Sequence, residues 1–297
     1  MTYSIAARDP ETGELGVAVQ SRWPSVGAVV PWAEPGVGAV ATQSFTEQSY
    51  GPLGLAAMRS GTPAQDALES LVARDEGRDV RQVGMVDATG RSAAFTGSGC
   101  IAAAGHLTGT DMTVQANMME RPTVWPAMAD AFRTSDGDLA GRLMAALRAA
   151  EAEGGDVRGR QSAALLVVPA SGPAWATRFD LRVDDDRAPL NELARLLNLA
   201  RAYEELDSAS ELSRAGDLPA AAIAIDEARR LAPDDDQISL FAALTFAGVG
   251  RMPEARVLFA QARRAEPRSG EHLRRFVAGG QLPPQVTPVI EALEAGD

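Results

Sequence analysis

Runs of strands alternating with pairs of helices are what most constrain the fold of this chain. "YSIAARD" and "LGVAVQS" read as strands around the turn "PETGE", and "GAVVPWA" and "VGAVATQSF" read as a second pair around Glu34-Pro35-Gly36. "GPLGLAAMRSG" then reads as a short helix stopped by Gly61. Thr62 is placed to cap the next helix, with Pro63 at its first position and Ala67, Leu68, Leu71 and Val72 on one face. Strands return at "RQVGMVD", "RSAAFTG" and "DMTVQANM". Helices are expected over Thr123–Phe132 and Asp138–Ala152, followed by strands "SAALLVVPA" and "AWATRFDLRV". A doubly wound parallel sheet alternates strand and helix singly. This order instead suits an α+β fold in which two antiparallel sheets stack and a helix pair covers each outer face, a four-layer αββα sandwich. The strongly apolar "SAALLVV" fits a strand covered on both faces.

"VDDDRAPLNE" marks a boundary, placing a sandwich domain at 1–183 and a helical domain at 184–297. Within the tail, "AGDLPAAAIAIDEARRLAPDD" realigns with "VGRMPEARVLFAQARRAEPRS" at an offset of 34 residues. Gly216 matches Gly250, Pro219 matches Pro253, Ala228-Arg229-Arg230 matches Ala262-Arg263-Arg264, and Pro233 matches Pro267. A helix–turn–helix period of this length resembles tetratricopeptide repeats. Arrays of that kind need roughly three copies, so helices near Pro189–Tyr203 and Val286–Ala295 are expected to act as caps.

The net charge of −12 argues against nucleic acid or an anionic membrane as the main partner. All 28 basic residues are arginine, which excludes Schiff-base chemistry and a lysine base. Cys100 is the only cysteine, and His106 and His272 are the only histidines. A disulfide framework and a multi-cysteine zinc site are therefore not expected, and no cofactor or metal is. The runs Asp184-Asp185-Asp186 and Asp234-Asp235-Asp236 read as solvated linkers or helix N-terminal charges. Neither a signal peptide nor a transmembrane run is evident, so the expectation is a soluble cytoplasmic protein.

Thr2 stands directly behind the initiator methionine at the head of the first strand. Threonine is a good strand residue, which is explanation enough for its presence. If the methionine is removed, however, its free α-amine can serve as the base for its own hydroxyl.

The strand and helix order resembles the N-terminal nucleophile hydrolase sandwich used by proteasome subunits. "GELGVAVQSRW" is similar to the strand that runs beside the nucleophile in that fold. Ser21 and Arg22 match its pattern, Gln20 stands where an aspartate is common, and the assisting lysine of proteasome-type enzymes has no counterpart. The segments "TYSIAARDPETGELGVAVQS", "VGAVVPWAEPGVGAVATQSF", "YGPLGLAAMRSG", "RQVGMVD", "TGSGCIAAAGH" and "GGDVRGRQSAALLVV" together resemble domain-of-unknown-function family number 1028, which is grouped with these hydrolases.

The resemblance implies Thr2 as nucleophile. Ser21 and Arg22 would lie beside it, and Thr42 and Gln43 would offer N–H groups, or the Gln43 amide, to an oxyanion. In "GGDVRGRQS", Asp156 would orient the nucleophile or its amine, and Arg158 or Arg160 would receive a substrate carboxylate through a two-pronged bond. Asn117, where the family often has Gly-Asn and this chain has Ala116-Asn117, would bind substrate. Plainer readings stand beside these: a strand end, a salt-bridged loop, an edge-strand turn. His106 reads as structural and Cys100 as a small apolar residue.

Two functions follow. One is hydrolysis of a small amide or related C–N bond through a Thr2 ester, on a small-molecule substrate whose carboxylate, where it has one, the arginines would suit. The other is a non-catalytic binding protein whose helical repeats mediate protein–protein interaction or self-association.

Overall fold

The computed structural model describes residues 2–295. By internal contacts the chain parts into two compact units, one ending at Arg195 and one beginning at Leu196.

The first unit follows the expected order. Strands β1 (Thr2–Arg8), β2 (Leu15–Ser21), β3 (Pro31–Glu34) and β4 (Gly38–Ser44) come first. Helices α1 (Tyr50–Arg59) and α2 (Ala64–Arg74) follow, then β5 (Arg81–Asp87), β6 (Ser92–Thr96), β7 (Gly105–Gly109) and β8 (Met112–Ala116). Helices α3 (Val124–Thr134) and α4 (Leu139–Ala152) precede β9 (Ser162–Val168) and β10 (Phe179–Val183). The strands form a six-stranded sheet in the order β10-β9-β2-β1-β8-β7 and a four-stranded sheet in the order β3-β4-β5-β6. Every strand pairing is antiparallel. Helices α3 and α4 pack on the larger sheet, α1 and α2 on the smaller, and the two sheets face each other. The chain thus forms the four-layer αββα sandwich.

Side-chain alternation explains the layers. Leu15, Val17 and Val19 of β2 meet Ala39, Ala41 and Val86 between the sheets. Val40, Val83 and Met85 point the other way, onto Leu55, Met58 and Leu68 of α1 and α2. Because helices cover the outer faces, β2 is buried along its whole length.

Local details differ from the sequence expectations. Pro63, not Thr62, is the residue preceding the first turn of α2, and it is the Asp87 carboxylate of β5 that accepts from the Ala64 N–H, at 3.3 Å. The short β7 pairs with β8 across the tight turn Thr110-Asp111.

The second unit is helical: α6 (Leu218–Leu231), α7 (Asp236–Gly248), α8 (Met252–Ala265), α9 (Ser269–Ala278) and α10 (Thr287–Glu294). Helix α5 spans Pro189–Arg214, eleven residues beyond the expected end at Tyr203. The boundary between the compact units falls inside α5, past the expected one at 183/184. Ile225, Leu240, Phe246, Phe259 and Leu273 form the core of the helical unit.

Candidate active site

β1 begins at Thr2, and its antiparallel register with β2 sets Thr2 opposite Ser21. Their hydroxyl oxygens are 3.0 Å apart, and both residues are buried. Gln20, one position earlier, faces the opposite side of the sheet by alternation, opposite Tyr3. The hydroxyl beside Thr2 is therefore Ser21, and the aspartate-like position at Gln20 looks toward the helix layer.

On the other flank, Thr2 meets the residue that follows β8. The Thr2 backbone N–H donates to the Asn117 carbonyl at 3.4 Å, and the Asn117 N–H donates to the Thr2 carbonyl at 3.1 Å. The Thr2 carbonyl accepts two further bonds, from Gln43 Nε2 at 3.1 Å and Asn117 Nδ2 at 3.4 Å.

The side chain of Gln43 crosses from the smaller sheet to the larger. Its Oε1 accepts from the Ser4 hydroxyl at 2.6 Å. Its Nε2 also lies within bonding distance of Gln82 Oε1 at 2.7 Å and the Gln115 carbonyl at 3.2 Å. This side-chain amide is committed to the Thr2 carbonyl and the inter-sheet layer. Thr42 is likewise occupied: its N–H donates to the Val30 carbonyl at 3.2 Å and its hydroxyl to the Glu47 carbonyl at 3.0 Å.

Asp156 is buried and ties the final loop to the end of β2. Its Oδ2 accepts from the Arg22 backbone N–H at 3.3 Å. The Arg158 guanidinium forks onto the same carboxylate, Nε to Oδ1 at 3.1 Å and Nη2 to Oδ2 at 2.7 Å. Arg160 pairs with Glu151 at 3.1 Å. Arg22 is exposed and its Nη1 donates to Gln161 Oε1. The two arginines of this loop thus each meet a carboxylate of the chain itself.

The rim of this end is partly apolar. Trp23, Phe45 and Val157 are 60%, 54% and 51% exposed. Each lies within two residues of Ser21, Gln43 or Asp156. Two backbone positions beside Thr2 contacts are left-handed without being glycine: Ser44, after Gln43, has φ 74°, and Met118, after Asn117, has φ 57°. Such conformations cost on the order of 1–3 kcal/mol each and concentrate at functional sites.

Sequence reasoning missed Gln82 and Gln115. Gln82 Oε1 accepts from Gln43 Nε2 at 2.7 Å and Asn117 Nδ2 at 2.8 Å. Its Nε2 faces the Ala116 carbonyl at 2.9 Å, Thr96 Oγ1 at 3.0 Å and the Gly105 carbonyl at 3.1 Å. Gln115 donates to Ser4 at 2.6 Å and accepts from Thr113 at 3.2 Å. A Cβ at Gly84 would come within 2.2 Å of Gln115 Oε1, so a glycine there makes room for the amide. The signal available in the sequence was three glutamines at inward strand positions.

Among the described residues no group of three His, Cys, Asp or Glu side chains is placed to hold a metal ion, and no helix is long and apolar enough to cross a membrane. Two surface grooves, of about 340 and 320 Å³, lie on the helical unit around His272 and Arg264.

Among solved structures, protein SPO2555 from Silicibacter pomeroyi, itself assigned to DUF1028, matches with a TM-score of 0.61 and 34% identity, over 66% of this chain and 87% of that one. Anbu (ancestral β-subunit) from Yersinia bercovieri matches with a TM-score of 0.34 and 14% identity, over 65% of this chain and 91% of its own. No curated protein matches. The model of a family of unknown function, DUF1028, matches residues 2–193, and the chain belongs to that family.

Proposed function

We propose that the sandwich hydrolyses a small amide or related C–N bond with Thr2 as nucleophile. The observation that carries this reading is the setting of Thr2: a buried hydroxyl 3.0 Å from Ser21 Oγ, at the head of a strand whose first carbonyl takes three hydrogen bonds. Removal of Met1 would turn the Thr2 nitrogen into an amine on the same carbon as the hydroxyl-bearing side chain.

In the proposed reaction the Thr2 amine takes the Oγ1 proton and Oγ1 bonds to the substrate carbonyl carbon. The tetrahedral intermediate collapses, the C–N bond breaks, and the leaving nitrogen takes the proton from the ammonium. Water then adds to the Thr2 ester with the amine again as base, and releases the acid. Ser21 stands beside Oγ1 to share its proton. Asp156 acts through the Arg22 N–H, holding the end of β2 and with it Ser21. Arg22, exposed at the rim, is the group proposed to meet a substrate carboxylate, with Trp23, Phe45 and Val157 against apolar parts of the substrate.

The test begins with intact mass of untagged protein. Loss of one methionine, followed by acylation of the N-terminal peptide with an aliphatic β-lactone, is the expected result. Thr2→Ala should abolish the adduct. Retained Met1, or equal labelling of Thr2→Ala, would remove the reading. The second reading is a binding protein acting through its helical repeats, and the grooves on α8 and α9 favour it. It gains if Thr2→Ala leaves every biological property intact.

A further inference from the structure

Between the sheets, the layer under Thr2 is built from amides and hydroxyls rather than aliphatic side chains. Ser4, Gln43, Gln82, Thr113, Gln115 and Asn117 are all buried and joined by hydrogen bonds. Leaving a buried amide unpaired is costly, so such a network holds its members in one arrangement. The chain has no lysine to place a charge there. No member of this layer carries a charge, so orientation within it comes from dipoles.

Gln82 occupies the centre. It belongs to the smaller sheet, yet three of its bonds reach residues of the β7–β8 part of the larger sheet: Gly105, Ala116 and Asn117. Its oxygen receives the two side chains, Gln43 and Asn117, whose amide nitrogens also donate to the Thr2 carbonyl. Had either amide turned over, its oxygen would face Gln82 Oε1, acceptor against acceptor.

We infer that Gln82 is a positioning residue for Thr2: it fixes the amides of Gln43 and Asn117 so that both donate to the Thr2 carbonyl and hold the nucleophile's backbone in place. This rests on the reading of Thr2 as nucleophile. Gln82 makes no bond to Thr2 itself in this arrangement; it acts through its two neighbours. Misplacement of a reacting group by about 1 Å can lower a rate about a hundredfold.

The test uses the full chain with Met1 removed and an aliphatic β-lactone as probe. Thr2 Oγ1 attacks the lactone carbonyl, the ring C–O bond breaks, and the ring oxygen takes the proton carried by the α-amine. The adduct therefore adds the whole lactone mass to the N-terminal peptide. Gln82→Leu should lower the limiting labelling rate at least about tenfold while the half-saturating probe concentration changes less than about twofold. Gln82→Glu separates positioning from mere packing. Its neutral acid accepts from Gln43 and Asn117 and donates to a carbonyl, as the amide does, whereas the carboxylate cannot donate. The ratio of variant to wild-type rate should be near one at low pH and fall as the glutamate ionises.

A folded Gln82→Leu protein labelled within about twofold of wild type overturns the inference while leaving Thr2 as nucleophile. If Gln82→Leu does not fold, Gln82→Glu decides alone, and a pH-independent ratio overturns the inference. A wild type that is not labelled at Thr2 removes the nucleophile itself, and this inference with it.

Discussion

His106 sits at the outer end of the amide network. Thr96 Oγ1 accepts from Gln82 Nε2 at 3.0 Å and lies 2.8 Å from His106 Nδ1. In the neutral tautomer with Nδ1 unprotonated the ring accepts the Thr96 proton, and in the other tautomer Nδ1–H donates to Thr96. Burial lowers the His106 pKa from the ordinary imidazole value. The sign follows: the unfolded chain binds this proton more readily than the folded one. The stability that His106 contributes is complete above about pH 6.5 and is lost as pH falls through that value toward the depressed folded pKa. Urea midpoints at pH 7.5 and pH 5 should fall further for wild type than for His106→Gln; equal shifts would show that His106 is not the linked group. At this scale the sequence was partly legible. Thr2, Ser21, Gln43, Asn117 and Asp156 stood out because they flank strand ends in a recognisable order. Gln82 did not, because a glutamine inside a strand reads as the solvent face of an alternating pattern. Only the stacking of β5 over β8 turns that face inward.

Elements were the most legible scale, since hydrophobic period and glycine stops report them directly. Expected and observed helices in the sandwich agree within two residues for α3 and α4. The end of α5 was hidden because the stretch after Tyr203, "EELDSASELSR", is mostly polar and marks its apolar face with Leu206, Ala209 and Leu212 alone. The tail repeat is visible in the backbone. α6 and α8 each span 14 residues and start 34 residues apart. Gly216 and Gly250 precede them with φ of 85° and 82°, and a Cβ at either would meet nothing within 4 Å. The glycines are thus required by conformation and not by space. Gly250→Ala should destabilise the helical unit by about 1–2 kcal/mol, the cost of a left-handed alanine. Gly248→Ala, two residues earlier at the end of α7, has no positive φ and its Cβ would come no nearer than 4.0 Å to Leu218 Cδ1. It should be neutral or stabilise by up to about 1 kcal/mol. Urea unfolding followed by far-ultraviolet circular dichroism would compare them. Equal effects of the two would mean that backbone conformation is not what separates them.

For the whole molecule, the question is whether the sandwich needs the helical unit. Each unit has a core of its own. That of the sandwich is split between the inter-sheet layer and the helix faces, and that of the helical unit centres on Ile225, Phe246 and Phe259. Many of the charged side chains on the helical unit pair with neighbours three or four positions away, as in Arg230–Glu227 and Arg275–Glu271. Exposed pairs of this kind contribute only about 0–1 kcal/mol each. The helical unit therefore depends on its apolar core, and a charge placed there should undo it selectively. Ile225→Asp would bury an unpaired carboxylate at a position with no exposed surface, at a cost of about 3–5 kcal/mol. The expected outcome is loss of the helical unit's transition in calorimetry, with the sandwich transition retained. Labelling of Thr2 by the β-lactone should proceed at the wild-type rate in the same protein, because every hydrogen bond described around Thr2 comes from the first 161 residues. A variant that loses both transitions, or that keeps the sandwich but not the labelling, would show that the helical unit supports the site, and its role would then have to be sought in the reaction rather than in partner binding.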